Sequence, residues 1–425
     1  MIELTNYQNE TSIKAVEMLR DKKRSVLNGE MRTGKTLIAI DVANKIGGNT
    51  LFVTKKNAID SIESDIEKYK IERNFICNIE VINYESLHKV KSKSYDLIIV
   101  DEYHAAGYIQ KTKLINKRLN AIRKTYFLGM TGTLFLETFS TAYSLFPWCF
   151  PSYRTFYKWA HDYVNITMQR KGQNLVPDYT KVKDMNMIWP LINPYIITLT
   201  QKDAGFVAKV EDIVHRVESR DLSKLCEIIK RKKLYQFKDG SQIVADNMSK
   251  EFQIIKQLQS GTLLMSTAVV DGRGLDEFKY LDDFKCQYII DNFMNYKFAV
   301  FYEFRAERLM IMASLARAGY EITEDAQYFN KSGNKVVYIG QFVSKREGVN
   351  LSGCDDLIFF CMPYSNLSYI QARERAMTKD KTQEVRCHFL LTKFEERVYK
   401  TVTVDKGRFS SESYRQAVRF EDELF

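Results

Sequence analysis

The stretch "NGEMRTGKTLIA", residues 28–39, constrains the fold of this chain more than any other. It reads Gly29, four residues, then Gly34, Lys35 and Thr36. A short apolar segment, "RSVL", precedes it, and Leu37, Ile38, Val42 and Ile46 follow at helical spacing. Strand, glycine turn and helix N-terminus in that order form a phosphate site, because the N–H groups left unpaired by the first helical turn face an anion that the helix dipole favours. Gly29 and Gly34 allow close backbone approach, with Arg32 and Thr33 completing the loop around the phosphates. Lys35 is placed to reach the outer phosphates and the Thr36 hydroxyl to ligate magnesium.

A second motif lies about 65 residues on, in "YDLIIVDEYH", residues 95–104. Leu97 to Val100 read as a buried parallel strand with Asp101 and Glu102 at its C-terminal end. Nucleotide hydrolysis needs one carboxylate to hold magnesium and another to orient and deprotonate water, roles that fall to Asp101 and Glu102. In open α/β sheets ligands gather at the C-terminal ends of strands, so the two motifs are expected to meet in one crevice.

The chain has 425 residues, too many for one average domain, and 45% of them are hydrophobic, so two or three compact units are expected. Its apolar runs fall short of the roughly 18 residues that span a bilayer. The N-terminus "MIELTNYQNE" lacks the basic and apolar segments of a signal peptide, so a cytoplasmic location with no membrane association is expected. Seven cysteines form no Cys-x-x-Cys pair and the five histidines are scattered, which favours reduced, buried thiols over a zinc site. An excess of 63 basic over 53 acidic residues suits a polyanionic partner, but only weakly.

The tetrad Asp101-Glu102-Tyr103-His104 resembles the Asp-Glu-x-His box of superfamily 2 helicases and translocases. Other stretches agree with it in order. "LTNYQ", residues 4–8, looks like the adenine-reading glutamine motif, which implies Gln8 for the base edge with Tyr7 beside it. Residues 51–69 and 81–87 are similar to motif Ia and the motif after it, and "GMTGT", residues 129–133, to the element coupling hydrolysis to lobe movement. The resemblance gives that coupling role to His104, Thr131, Gly132 and Thr133.

A second α/β lobe is legible from about residue 286, in the strand-like "KFAVFYEF", "KVVYIGQF" and "DLIFFCMPY" and the helix-like "RAERLMIMASLARAGY". It has no phosphate loop of its own, so it is expected to close over the nucleotide held by the first. "SKREGVNLSG", residues 344–353, resembles motif V of Swi/Snf-type ATPases, implying Gly348 and Asn350 at the lobe interface. "YIQARERAMTKDK", residues 369–381, resembles motif VI, implying a coupling role for Gln371 and a charge-stabilising arginine in Arg375. The family's second arginine is replaced by Thr378, for which Lys379 or Arg373 are the substitutes, and the proline after Thr-Gly-Thr is Leu134. "LINPYIITLTQKDAGF", residues 191–206, and the Thr-x-x-Glu-Glu of residues 392–396 also look like the Swi/Snf branch, in a compact form similar to single-chain bacteriophage versions.

The expected fold is therefore α/β, two tandem RecA-like lobes with a helical insertion and a linker. Lobe 1 spans 1–205 with helices inserted at about 150–190, a linker or insertion spans 206–285, and lobe 2 spans 286–425 with the last 25 residues as a brace. Arg231, Lys232 and Lys233, beside Tyr235 and Phe237, suit nucleic-acid backbone contact; a solvated helix face is the alternative. The resemblance implies an ATP- and Mg2+-dependent translocase on duplex DNA, read by shape and charge. Two alternatives stand beside it. One is a strand-separating DNA or RNA helicase. The other is a nucleotide-dependent switch among protein partners of a replication, recombination or repair assembly.

Overall fold

A computed structural model describes the chain at all positions except 1–3, 73, 91–93, 111, 136–137, 172–173, 271–272, 295, 343–348 and 405–425. The chain divides into two compact units, Met1–Phe206 and Val207–Phe425. No helix among the described residues is long and apolar enough to cross a membrane. All seven cysteines are free, and only Cys149 is not fully buried.

The strands of the first unit are Arg24–Gly29 (β1), Gly48–Thr54 (β2), Cys77–Asn83 (β3), Ser94–Val100 (β4), Arg123–Thr131 (β5), Thr167–Lys171 (β6), Asn174–Asp178 (β7) and Ile196–Leu199 (β8). Six of them form a parallel sheet in the order β3-β2-β4-β5-β1-β8. The continuous apolar run of β4 is what a strand covered on both faces requires. Leu97 and Ile99 join Ile38, Phe52, Ile62 and Met130 in one core. Ile98 and Val100 point the other way, into a core with Leu119, Phe146 and Trp159.

The segment around 150–190, expected to be helical, holds the helix Phe156–Tyr163, the antiparallel hairpin β6/β7, the single turn Met185–Met187 and the start of the short helix Trp189–Ile192. Neither "TMQRK" nor "NLVPD" carries an alternating apolar pattern, so this short, mostly exposed ribbon leaves no period-2 signal in the sequence.

In the second unit the strands are Val210–Arg216 (β9), Leu234–Gln236 (β10), Gln242–Val244 (β11), Thr262–Val270 (β12), Arg273–Tyr280 (β13), Phe298–Tyr302 (β14), Glu321–Thr323 (β15), Val336–Gln341 (β16), Asp356–Phe359 (β17) and Val385–Leu391 (β18). A second six-stranded parallel sheet runs β15-β16-β14-β17-β18-β9. Two such sheets, each flanked by helices, are two tandem RecA-like lobes. Within the span 206–285, read above as a connector, β9 completes the second sheet, and β10/β11 and β12/β13 form two separate antiparallel pairs. The last 21 residues, and with them most of the anticipated brace, lie outside the described residues. The helix Lys393–Thr403 before them opens on a reciprocal cap between Thr392 and Glu395, the reason for the Thr-x-x-Glu spacing.

Candidate nucleotide site

β1 delivers the chain to the phosphate loop, and the helix Lys35–Ile46 leaves it, burying Ile38, Ile40 and Val42. Gly34 sits at the helix N-terminus with φ +79°, and a Cβ built there would lie 2.1 Å from Gln8 Nε2. Gly29 is as confined, since a Cβ would meet Thr33 Oγ1 at 2.9 Å and Lys35 Cδ at 3.0 Å. The loop is thus a bare backbone cradle of the kind a phosphate chain needs. Arg32 also takes a left-handed conformation, φ 63°, and Thr33 is buried with its hydroxyl donating to the Glu30 carbonyl at 2.9 Å. Lys35 Nζ donates to the carbonyls of Gly29 and Glu30, each at 2.7 Å. Gln8 is buried and reciprocally caps the helix Asn6–Lys22 with Thr5, its Oε1 accepting from Thr5 N at 3.0 Å.

The close contact at Gly34 yields a prediction. Gly34→Ala places a methyl on the Gln8 amide and forces an L-residue into left-handed backbone at a cost of about 1–2 kcal/mol. ATP affinity measured by calorimetry is expected to fall about tenfold or more, 1.4 kcal/mol being a factor of ten.

Asp101 and Glu102 follow β4 directly, and β2 and β5 flank them. Asp101 Oδ2 accepts from Thr54 Oγ1 at 2.9 Å, and Oδ1 from Glu102 N at 2.9 Å. The Tyr84 hydroxyl donates to the Asp101 carbonyl. Burial raises the Asp101 carboxyl above the usual carboxylate range, opposed by those two donors and by the charges of Lys35 and Lys55. A half-buried carboxylate acted on by the loop lysine's charge, with Thr36 on the first helical turn, fits a hard divalent cation held by oxygen donors.

Glu102 has φ 47° and ψ 47°, one of five described non-glycine residues with positive φ. Its Oε2 lies 3.2 Å from His104 Nδ1, and that nitrogen is 2.9 Å from Thr131 Oγ1. Thr131 in turn accepts from Thr133 N at 3.1 Å and donates to the Thr133 carbonyl at 3.0 Å, closing a turn around Gly132. Because Asn28 pairs with Thr131 across β1 and β5, the Thr-Gly-Thr turn stands beside the start of the phosphate loop. One chain of contacts therefore joins Glu102, His104 and the Thr-Gly-Thr element.

In the second unit Arg375 is 4% exposed, its Nη1 donating to the Val349 carbonyl at 3.1 Å and its carbonyl accepting from Leu351 N. Gln371 is buried on the preceding helix, Asn366–Arg373. Asn350 is exposed, with Oδ1 accepting from Ser352 N at 3.1 Å. Gly348 lies outside the described residues. Arg373 is engaged structurally, Nε donating to Asp212 at 2.7 Å and Nη2 to the Val210 carbonyl, while Lys379 is exposed. Arg231, Lys232 and Lys233 are exposed at the C-terminal end of the helix Arg220–Lys232, where cations also favour the helix dipole. Lys233 pairs with Glu251 at 2.8 Å.

Several contributors gave no sequence signal. Thr54 and Tyr84 hold Asp101 but read as ordinary ends of motif Ia and the motif after it, and Glu30 passes for a variable loop position.

Residues 1–136 match the family described as type III restriction enzyme, res subunit. No curated protein matches the sequence. Among solved structures, the chain is similar to the Sulfolobus solfataricus SWI2/SNF2 ATPase core in complex with dsDNA at 15% identity, covering 97% of this chain and 94% of that one with a TM-score of 0.41. The core domain alone from the same organism gives 14% identity, coverage of 98% and 94%, and a TM-score of 0.43. The ATP-dependent type ISP restriction-modification enzyme LlaBIII bound to DNA gives 10% identity over 92% of this chain and 28% of that one, with a TM-score of 0.49.

Proposed function

We propose that this chain, a helicase-like ATPase core of superfamily 2, converts ATP hydrolysis into movement along duplex DNA in the manner of Swi/Snf-type translocases. The observation that carries the reading is the contact chain from Glu102 through His104 to Thr131 beside the phosphate loop, which ties the hydrolytic carboxylate to the coupling element. The N–H groups of Gly29–Thr36 and the Lys35 ammonium hold the phosphates, Thr36 and Asp101 hold the magnesium ion, and Gln8 reads the adenine edge. The ion supplies charge neutralisation to the outer phosphates. Glu102 orients the attacking water and takes its proton on a carboxylate oxygen. Arg375, presented with Gln371, Gly348 and Asn350 by the second lobe, stabilises charge on the transferring group when the lobes close.

The branch assignment rests on the Swi/Snf-like pattern of residues 191–206, 344–353 and 392–396. The duplex track is probed by steady-state ATPase rate with equal nucleotide masses of duplex DNA, single-stranded DNA and RNA, using Lys35→Ala as the blank. Stimulation of about tenfold or more by duplex alone is expected, as remote binding energy is spent on assembling the site. Stimulation mainly by single strands favours a strand-separating helicase. A second reading, a slow nucleotide-dependent switch among protein partners, is favoured by Thr378 and by the bond of Arg375 Nη1 to the Val349 carbonyl of the same unit. It predicts an ATPase indifferent to all three nucleic acids.

A further inference from the structure

β8 is the edge of the first sheet and, among the described strands, pairs with β1 alone, the strand that runs directly into the phosphate loop. Beyond β8 the chain makes a compact turn over Thr200–Phe206 and the first unit ends. Asp203 and Thr200 brace that turn, Thr200 Oγ1 donating to Asp203 Oδ2 at 2.6 Å and accepting from Asp203 N at 3.1 Å. Ala204 N and Phe206 N donate to the carbonyls of Thr200 and Gln201 at 3.1 and 2.9 Å.

Hydrogen bonds fasten this exit to the phosphate loop. Glu30 Oε2 accepts from Gln201 N at 2.6 Å, the Gln201 side-chain amide donates to the Met31 carbonyl at 3.2 Å, and Glu30 N donates to the Leu199 carbonyl at 2.9 Å. The Glu30 carbonyl meanwhile accepts from Lys35 Nζ and from Thr33 Oγ1, at 2.7 and 2.9 Å. Glu30 therefore has its backbone in contact with the phosphate-reaching lysine and its side chain on the exit turn. The hydroxyl of half-buried Tyr7, next to Gln8, is enclosed near the same place, and burial first, then the charges of Asp203 and Glu30, raise its pKa.

We propose that Glu30 and Gln201 form a clasp through which the phosphate loop positions the exit segment Thr200–Phe206, so that nucleotide at the loop is felt where the chain leaves the first lobe. The clasp rests on the reading that the Gly29–Thr36 loop binds nucleotide. Both residues are positioning residues: neither acts on the phosphates directly. A phosphate chain gripped by the loop N–H groups fixes the backbone of Glu30, and the carboxylate then holds the Gln201 N–H more constantly, lowering the opening of the turn. The chain entering β9 receives that restraint by covalent continuity.

Amide exchange over residues 199–206 of the full chain tests this, with and without magnesium and ATPγS, after calorimetry has measured binding of that analogue. In the wild type the analogue is expected to slow exchange about threefold or more, the signature of a local opening made rarer. Glu30→Ala is expected to abolish the difference and Glu30→Gln to restore it, since the amide oxygen accepts the same N–H. Gln201→Ala, outside the loop, is expected to keep ATPγS affinity within about twofold and to lose about half of the slowing, because it removes the side-chain bond to Met31 and leaves the backbone N–H on Glu30. That variant decides the matter if Glu30→Ala proves unable to bind. A wild-type chain that binds ATPγS with no change over 199–206, or a Gln201→Ala or binding-competent Glu30→Ala chain that keeps the full change, overturns the clasp. A wild-type chain that does not bind ATPγS overturns the nucleotide reading, and the clasp with it.

Discussion

Glu102→Gln is expected to lower kcat for ATP about 10²–10⁴-fold, the usual contribution of a positioned general base, while ATP affinity changes little. The amide keeps the size of the carboxylate, and its carbonyl oxygen can keep the contact with His104 Nδ1, so the change is confined to proton acceptance. Glu102 holds left-handed backbone at a strain of about 1–2 kcal/mol. Such strain persists where the surroundings over-determine it, and here the Asp101 carboxylate fixes the Glu102 N–H at 2.9 Å. Asp101→Asn should separate from it cleanly: its defect is expected to appear as a raised magnesium requirement, since the lost charge belongs to the cation site. Steady-state kinetics with calorimetric ATP binding checks both. Normal turnover in Glu102→Gln would remove that carboxylate from the chemistry.

Where the strands and helices were legible in sequence, the structure is local. The phosphate loop and the Asp-Glu pair each lie within about a dozen residues, and the apolar strand or amphipathic helix beside each announces its element. β9 escaped because nothing local marks it. "VEDIVHR" is a half-exposed edge strand whose pairing partner, β18, lies at residues 385–391. Its membership in the second sheet is decided by that distant pairing and by the Asp212 carboxylate, which receives Arg373 Nε and the hydroxyls of Tyr369 and Tyr399. The same long-range contact explains why Arg373, a plausible catalytic substitute from sequence, is a structural ion pair. Glu30 was hidden for the opposite reason: it stands inside a motif whose pattern leaves that position free, and its partner Gln201 lies in a turn with no pattern of its own.

Lys285 carries the largest expected effect on stability. Sequence gave it no weight, since a lysine near the start of a helix reads as a surface residue. In the structure its side chain is fully buried, with Nζ donating to Glu395 Oε2 at 2.7 Å and to the Phe360 carbonyl at 2.8 Å. Glu395 is the acid that caps the helix Lys393–Thr403, and its Oε1 accepts from Met362 N at 3.3 Å. The pair therefore ties the helix Phe284–Phe293, the end of β17 and the C-terminal helix together. Lys285→Met leaves Glu395 as an unpaired charge in the core and is expected to destabilise the second unit by about 3–5 kcal/mol. Adding Glu395→Gln removes that stranded charge, so the double variant should be more stable than the single one, although a pair of independent losses would make it less so. Trp148, Trp159 and Trp189 are the only three tryptophans and all lie in the first unit, so their fluorescence follows that unit while circular dichroism follows both. Urea unfolding should show a circular-dichroism transition moved down by about 1–5 M in Lys285→Met, for a typical slope of about 1–3 kcal/mol/M. An unmoved tryptophan transition would mean the two units unfold separately, a co-shifted one that they unfold as a single cooperative body, and an unmoved dichroism transition would refute the buried pair as a major tie.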